Sequence, residues 1–559
     1  MRWRGEFTVG GSRAWSLVIR TLPWLLVAPL FLIPFGAAVL GGPFGSSQGS
    51  EALFSWASLE RFLAILGSPS ILASLRFSLL QALVSTLLSL ALGLPGAWLL
   101  SRYRFRGRRL YAALSGIPFV FPPVLFTLGF VRAWGRNGLV NSGLMSLFGL
   151  ENPPLNFAYS FSGVVIAHAL LNFPLVVALV GAVWSRVPRA PEDAARCLGA
   201  STGRVFTTIT LPSILPGIAA AASLVFLYCF MSFAIPLTLG GGPGYATLEV
   251  SIYAAVSGEQ NFGKAGTIAL LEGCCAIGVL ALYSLLHARS VAASTDAPGE
   301  RLPLSTQRRP LRWFSAFWLL TSGALALSPL LALVVASFTR VGRWGGAATF
   351  SLEPYVKTFT DPGSLHAMAD SLVLALAVAV LGVGIAVLLL IGEGRAGKIG
   401  IRGLFFALPV ALSSVMLSLG YLILFPLGAG VGALALVQAT AAYPLAWRTL
   451  TAARSRIPSG LDEAAILLGA SRPRILATVD LPLLRSALLS SLALCAAISL
   501  GEINAALMLN PTDFPLLGLR AYRLMGSYQY PLACALGVIV CLWAGLAFAA
   551  ADRLSEEPR

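Results

Sequence analysis

Charge is what this sequence is short of. Only 11% of its 559 residues are Asp, Glu, Lys or Arg, against 57% hydrophobic, and the mean hydropathy is +0.81. A soluble domain carries roughly 25% charged residues, so the polar surface needed to cover a water-soluble globule is missing. Histidine is scarcer still: the three (His168, His287, His366) have no acidic or cysteine partner nearby in sequence, which leaves no catalytic constellation to read. Seven cysteines lie mostly inside apolar runs (Cys229, Cys274, Cys275, Cys495, Cys534, Cys541), at spacings that fit neither a disulfide framework nor a zinc site. They read as small buried hydrophobes, and no metal site is expected. A phosphate-binding loop is also lacking. Gly392 to Lys398 and Gly258 to Lys264 have its glycine spacing, but Ile399 and Ala265 follow where a hydroxyl must hold magnesium. An excess of Lys and Arg, 39 against 23 acidic residues, could mark a nucleic-acid partner. Here, though, the basic residues lie in short clusters between apolar runs rather than on one soluble element, so no nucleic-acid partner is expected.

Long apolar runs are abundant. A bilayer core takes about 20 apolar residues of helix, and about twelve such segments can be marked out. The first six are Leu17–Leu40, Ser78–Leu100, Leu110–Phe130, Gly163–Val183, Ile214–Leu239 and Ala265–Leu286. The second six are Trp313–Phe338, Ala369–Leu390, Ile401–Phe425, Val431–Trp447, Leu483–Ile503 and Pro531–Ala551. The first run is too long for a signal peptide and lacks a convincing cleavage site, so it reads as a retained anchor. Between the sets, residues 287–312 have the Ser/Thr/Pro/Arg composition of a linker. Most Lys and Arg fall on the N-terminal arm, Arg102–Arg109, Arg186–Arg204, the linker, Arg395–Arg402, Arg448–Arg485 and the tail. The positive-inside rule then puts both chain ends and the linker in the cytoplasm. The fold class expected is an all-α polytopic membrane protein with halves at 1–286 and 313–559, their cores at about 71–286 and 366–551.

A shift of about 270 residues lays the loop at 186–212 on the loop at 456–482 without a gap. Arg186-Val187-Pro188 meets Arg456-Ile457-Pro458, and Glu192-Asp193-Ala194-Ala195 meets Asp462-Glu463-Ala464-Ala465. Leu198-Gly199-Ala200-Ser201 meets Leu468-Gly469-Ala470-Ser471, and Leu211-Pro212 meets Leu481-Pro482. The chain is a tandem duplication. Each loop reads as helix, break, helix. The acidic pair suits the positive end of a helix dipole, Gly199 or Gly469 can take the positive φ that ends it, and Ser201 or Ser471 can cap the next.

These loops resemble the EAA loop of ABC importer permeases, in which Glu-Ala-Ala, three residues and Gly precede Leu-Pro. Glu463-Ala464-Ala465 with Gly469 matches fully; in the first copy Asp193 stands at the Glu position. The resemblance implies two tandem six-helix type I permease halves whose coupling helices, Glu192–Leu211 and Asp462–Leu481, dock on two copies of a cytoplasmic ATPase. It implies that ATP and Mg bind to that partner, with no cofactor on this chain, and that a periplasmic or lipid-anchored binding protein docks outside, on loops including Gly240–Lys264 and Ala505–Tyr530. It also implies a bacterial inner membrane as the location. Trp134-Gly135-Arg136-Asn137-Gly138, Ala167-His168 through Asn172-Phe173-Pro174, and Leu239 through Tyr253 look like fused thiamine-importer permeases. Ferric-iron importer permeases are close relatives of that group.

Polar groups inside apolar segments hint at a path. Ser232, Glu502, Asn504, Asn172 and Tyr228 are the candidates, with Glu272, Gln81, His168 and Gln438 as further polar residues. Ser232 and Glu502 are equivalent under the repeat. Two carboxylates, with no Lys or Arg in mid-segment, favour a cationic or neutral solute. A secondary transporter would also favour twelve helices in two halves, but it has no need for two matching cytoplasmic knobs.

Overall fold

The computed structural model describes residues 13–41, 56–112, 121–240, 242–292, 301–340, 349–392, 405, 408–426, 428, 430–458, 460–511 and 513–555. Its helices in chain order begin with α1 (Arg13–Gly41), α2 (Trp56–Leu66), α3 (Pro69–Arg102), α4 (Pro123–Trp134), α5 (Leu139–Phe148) and α6 (Phe161–Trp184). Next come α7 (Ala190–Cys197), α8 (Thr202–Val205), α9 (Leu211–Phe230), α10 (Ala234–Leu239), α11 (Leu248–Ser257) and α12 (Phe262–Ala292). The second set is α13 (Arg309–Ser337), α14 (Glu353–Thr360), α15 (Pro362–Gly392), α16 (Ser414–Leu424), α17 (Gly430–Arg454), α18 (Gly460–Leu467) and α19 (Arg472–Ile475). It closes with α20 (Leu481–Leu483), α21 (Arg485–Gly501), α22 (Asn504–Leu509), α23 (Leu517–Gly526) and α24 (Tyr530–Ser555). Among the described residues strand is confined to two-residue pairings; one of them, Tyr103–Arg104 beside Leu302–Pro303, ties the linker to the end of α3.

Among the described residues eight helices are long and apolar enough to span a bilayer, and Leu476–Leu483 with Arg485–Gly501 makes a ninth span bent by 65°. About twelve were expected; the three not in that count, the first, third and ninth, each adjoin or contain residues outside the described set. The expected first segment lies within the single 29-residue helix α1, of which Leu25–Gly41 is an apolar stretch. The expected third and ninth segments contain the short helices α4 and α16; residues 113–120, 401–404, 406 and 407 of those segments lie outside the described residues. The fifth and eleventh segments are among the spans counted, and each ends in a break. α9 ends at Phe230 and α21 at Gly501, and each chain bends before a six-residue helix, α10 or α22.

The halves are built alike down to single hydrogen bonds. The first amide of α11, Leu248 N, donates to Ser78 Oγ of α3 at 2.9 Å; the first amide of α23, Leu517 N, donates to Ser371 Oγ of α15 at 2.8 Å. In each half a buried serine on the long helix thus satisfies an orphan helix-start donor. The first helix of each half crosses to the other: α1 packs along α16, and α13 along α4. A glycine permits each crossing. A Cβ on Gly420 would lie 1.9 Å from the Pro34 carbonyl oxygen, and one on Gly129 would lie 2.2 Å from that of Pro329. Small residues that let backbones approach are the usual device where lipid removes the hydrophobic drive for helix pairing.

The expected outer loops Gly240–Lys264 and Ala505–Tyr530 are not wholly surface. Leu248, Glu249, Ile252 and Ala255 of α11, and Leu517, Gly518, Leu519 and Ala521 of α23, are buried. The i, i+4, i+7 spacing of Leu248, Ile252 and Ala255 is helical. Exposed stretches of these loops include 257–262 and 526–529.

Candidate coupling and translocation sites

Both duplicated loops fold as a short helix, a left-handed glycine and a second short helix. In α7 the acids Glu192 and Asp193 sit in the first turn, where the helix dipole favours them. The helix closes with Leu198 N donating to Ala194 O at 3.0 Å, Gly199 N to Arg196 O at 2.9 Å and Ala200 N to Ala195 O at 3.0 Å. In α18 the same three bonds run from Leu468, Gly469 and Ala470 to Ala464, Ile466 and Ala465, at 3.0, 2.9 and 2.9 Å. Gly199 has φ +87° and Gly469 φ +79°, with nothing within 4 Å of where a Cβ would stand. Backbone conformation, not space, calls for glycine. Ser201 Oγ accepts from Arg204 N at 3.4 Å and caps α8. A five-residue π-turn, Phe206–Thr210 or Leu476–Asp480, then leads to Leu211-Pro212 or Leu481-Pro482, which open α9 and α20.

The acidic pair is divided in its work. Glu192 is buried and ion-paired to Arg102 at the end of α3, and it accepts a hydrogen bond from Thr210 Oγ1 at 2.8 Å. Arg189 adds a bond to the Arg102 carbonyl at 2.6 Å. Asp193 is exposed, with only Arg196 beside it at 3.1 Å. In the second loop Glu463 is exposed, and the side chain of Asp462 lies outside the described residues. The buried anion there is Asp480, the counterpart of Thr210. It pairs with Arg454 at 3.0 Å, and Arg454 also donates to Leu390 O near the end of α15 at 2.5 Å. Each loop is therefore bolted to the membrane helices by a buried ion pair, built from non-equivalent positions. At the tips Leu198 is 89% exposed and Leu468 88% exposed. An apolar side chain held out in water on a rigid turn is the kind of feature a partner's groove covers.

The candidate path residues separate. Asn172 is buried between helices, donating to His168 O at 3.0 Å and to Cys229 Sγ at 3.5 Å; it holds α6 to α9. Tyr228 is 36% exposed and lies within electrostatic range of Tyr283 of α12 and Arg448 of α17. Ser232 sits at the break after α9, where its carbonyl accepts from Thr247 Oγ1 at 3.3 Å. Glu502 sits at the equivalent break and caps α22, its Oε1 accepting from Asn504 N at 2.8 Å and Ala505 N at 3.2 Å. It is a partly buried capping group rather than one reaching for the outer boundary. Asn504 contributes its amide to that cap. Glu249 went unremarked as a candidate because its stretch read as an outer loop, although the apolar spacing of Leu248, Ile252 and Ala255 announces a buried helix. It is fully buried on α11 and faces Glu272 of α12.

A family model, the binding-protein-dependent transport system inner membrane component, matches residues 69–293. The thiamine transport system permease protein ThiP of Escherichia coli (strain K12) is 27% identical over 491 residues, covering 86% of this chain and 88% of that protein. ThiP of Brucella abortus (strain 2308) is 26% identical over 474 residues, covering 83% of this chain and 84% of that protein. The putative 2-aminoethylphosphonate transport system permease protein PhnU of Salmonella typhi is 31% identical over 280 residues, 49% of this chain and 94% of that protein. Spanning helices, duplicated loops and these matches agree: the chain belongs to the family of binding-protein-dependent transport system inner membrane components.

Proposed function

We propose that this permease carries thiamine inward, driven by ATP hydrolysed on a separate subunit. The observation that carries the reading of the cargo is the similarity to ThiP over 86% of the chain, which spans both halves. The carboxylates buried between the helices favour a positively charged solute, and thiamine has a cationic ring. In the coupling step, two ATPase subunits hold the tips at Leu198 and Leu468 from the cytoplasm, with Asp193 and Glu463 facing the same partners. Closure of the ATPases moves both loops, and the buried ion pairs pass that motion to α3, α9, α15 and α17. The halves then open outward to a binding protein, and hydrolysis resets them. Both chain ends and the linker lie on the cytoplasmic side. The proposed domain division keeps the halves at 1–286 and 313–559, joined by 287–312.

Uptake in cells lacking this gene, with and without its restoration, tests the cargo with labelled thiamine and labelled ferric iron. Thiamine uptake alone is expected. Iron uptake alone overturns the cargo and leaves the permease family untouched. For the loops, Gly469→Trp forces a bulky side chain to φ +79° and should abolish uptake with membrane insertion intact; normal uptake by a well-expressed Gly469→Trp protein defeats the coupling role.

A further inference from the structure

The two junctions between the halves are equivalent in backbone and opposite in chemistry. At one, α11 and α12 of the first half meet α16, which in turn packs on α22 after the break that ends α21. Glu249 and Glu272 are both 0% exposed there, and none of their four carboxylate oxygens has a hydrogen-bond partner. The two carboxyl groups face each other; Glu249 also faces Ser413 and lies within electrostatic range of Glu502, which faces Ser414. Among the described residues no Lys or Arg figures among the groups acting on Glu249 or Glu272. Some compensation comes from α16, an eleven-residue helix whose positive end lies at Ser413 and Ser414. At the twin junction the equivalent positions are Gly518, Val540, Ser232, Pro122 and Pro123, with no carboxylate. The fold does without buried acids on that side, so it does not require them on this one. Two acids buried face to face inside a membrane, with no base beside them, are rare and mark a pathway by default.

We propose that Glu249 and Glu272, backed by Glu502, are the counter-charge for an organic monocation passing between the halves. This deepens the importer reading above and rests on it. Among the described residues no three His, Cys, Asp or Glu side chains are placed to hold a metal ion, so the site suits a spread positive charge rather than a chelated ion. The pair is closed to solvent in this conformation, and the cation meets it as the halves part. In a low-dielectric surround the attraction acts over several ångströms, so the carboxylates need not touch the cargo.

The test uses the complete transport complex in membrane vesicles, with labelled thiamine and its uncharged thiophene isostere as probes. For Glu249→Gln and Glu272→Gln, the ratio of cation to isostere uptake should fall about tenfold relative to wild type, with isostere uptake retained. The binding protein's own preference cancels, because the same binding protein serves every variant. Equal loss of both probes assigns the acids to structure and overturns the site, as does an unchanged ratio. Wild-type uptake of neither probe instead overturns the cargo reading, and the site with it. Should the Gln variants fail to insert, dicyclohexylcarbodiimide labelling of Glu249 or Glu272 in the wild-type complex decides. Thiamine should slow that labelling at least threefold where the isostere does not; equal rates overturn the proposal.

Discussion

Adjacent acids in the first loop should give opposite phenotypes. Glu192→Ala removes the partner of Arg102, whose guanidinium is buried with it, and strands the Thr210 hydroxyl donor. Removing one member of a buried ion pair leaves an uncompensated charge and costs about 3–5 kcal/mol. Arg102 keeps a long bond to Val187 O at 3.4 Å, which argues for the lower figure. The loss is local, because Glu192 fastens α7 to α3 and to the π-turn at Thr210 rather than holding the helical core. About 3 kcal/mol raises the population of the opened loop roughly a hundredfold, and cleavage of a transiently opened site follows that population when reclosing is fast. Trypsin supplies the assay, since Arg196 lies on the loop and is half-exposed. With the permease in lipid nanodiscs and no partner subunits, Glu192→Ala should be nicked after Arg196 roughly a hundredfold faster than wild type. Asp193→Ala, which removes only an exposed pair worth about 0–1 kcal/mol, should be nicked at nearly the wild-type rate. Equal rates for Glu192→Ala and wild type would refute the bolt; equal acceleration by both variants would show that the pair acts as a unit.

Three further outcomes follow from the same geometry. Leu198→Asp with Leu468→Asp should leave unfolding within about 0.5 kcal/mol of wild type, because both side chains are already in water, yet abolish co-purification of the ATPase; retained co-purification removes the tips from the interface. Gly420→Leu should cost about 1–3 kcal/mol and displace α1 from α16, read as a lower thermal midpoint and lost cysteine cross-linking between those helices; an unshifted midpoint shows that the Pro34 contact can yield. At Asp361 the Ser364 hydroxyl, then the Ser364 amide and Arg520, hold the carboxyl below the usual carboxylate range. A depressed carboxylate contributes stability above its unfolded value near pH 4 and loses it as pH falls through the folded value. Asp361→Asn should therefore flatten the pH dependence of unfolding below about pH 4, and an unchanged pH profile would place the dependence elsewhere.

Membrane class, tandem duplication and the loop turns were legible because each rests on a local signal: apolar run length, a gapless repeat, glycines before Leu-Pro. The left-handed φ at Gly199 and Gly469 is what such a turn demands. The division of labour between Glu192 and Asp193 was not legible, since burial depends on Arg102, which is distant in sequence. Nor was the second bolt, where the acid moved to Asp480 and the base to Arg454 while the neighbouring sequence kept its repeat. Hydropathy windows failed at α11 and α23 for a different reason. Each helix is only ten residues long, too short to register as a span, and each is buried by protein rather than by lipid.

Fusion explains why such asymmetry can accumulate. In a permease of two identical chains every side chain appears twice about the axis, so an acid at one junction brings its copy to the other. Glu249 and Glu272 stand opposite Gly518 and Val540, and Glu502 opposite Ser232, which only non-identical halves permit. The loop bolts differ too, Arg102 with Glu192 in one half and Arg454 with Asp480 in the other, but both still fasten loop to helix. Features that work in parallel on both sides drift in composition and keep their role. The carboxylates have no such twin, so moving them to Gly518 and Val540 is the informative exchange. If the path needs only one charged wall, Glu249→Gly with Gly518→Glu, together with Glu272→Val and Val540→Glu, should restore cation preference above either half-exchange. Failure to restore it, in a protein that still inserts and still carries the isostere, would mean that the start of α16 with Ser413 and Ser414 is part of the site, because the twin side offers Pro122 and Pro123 instead.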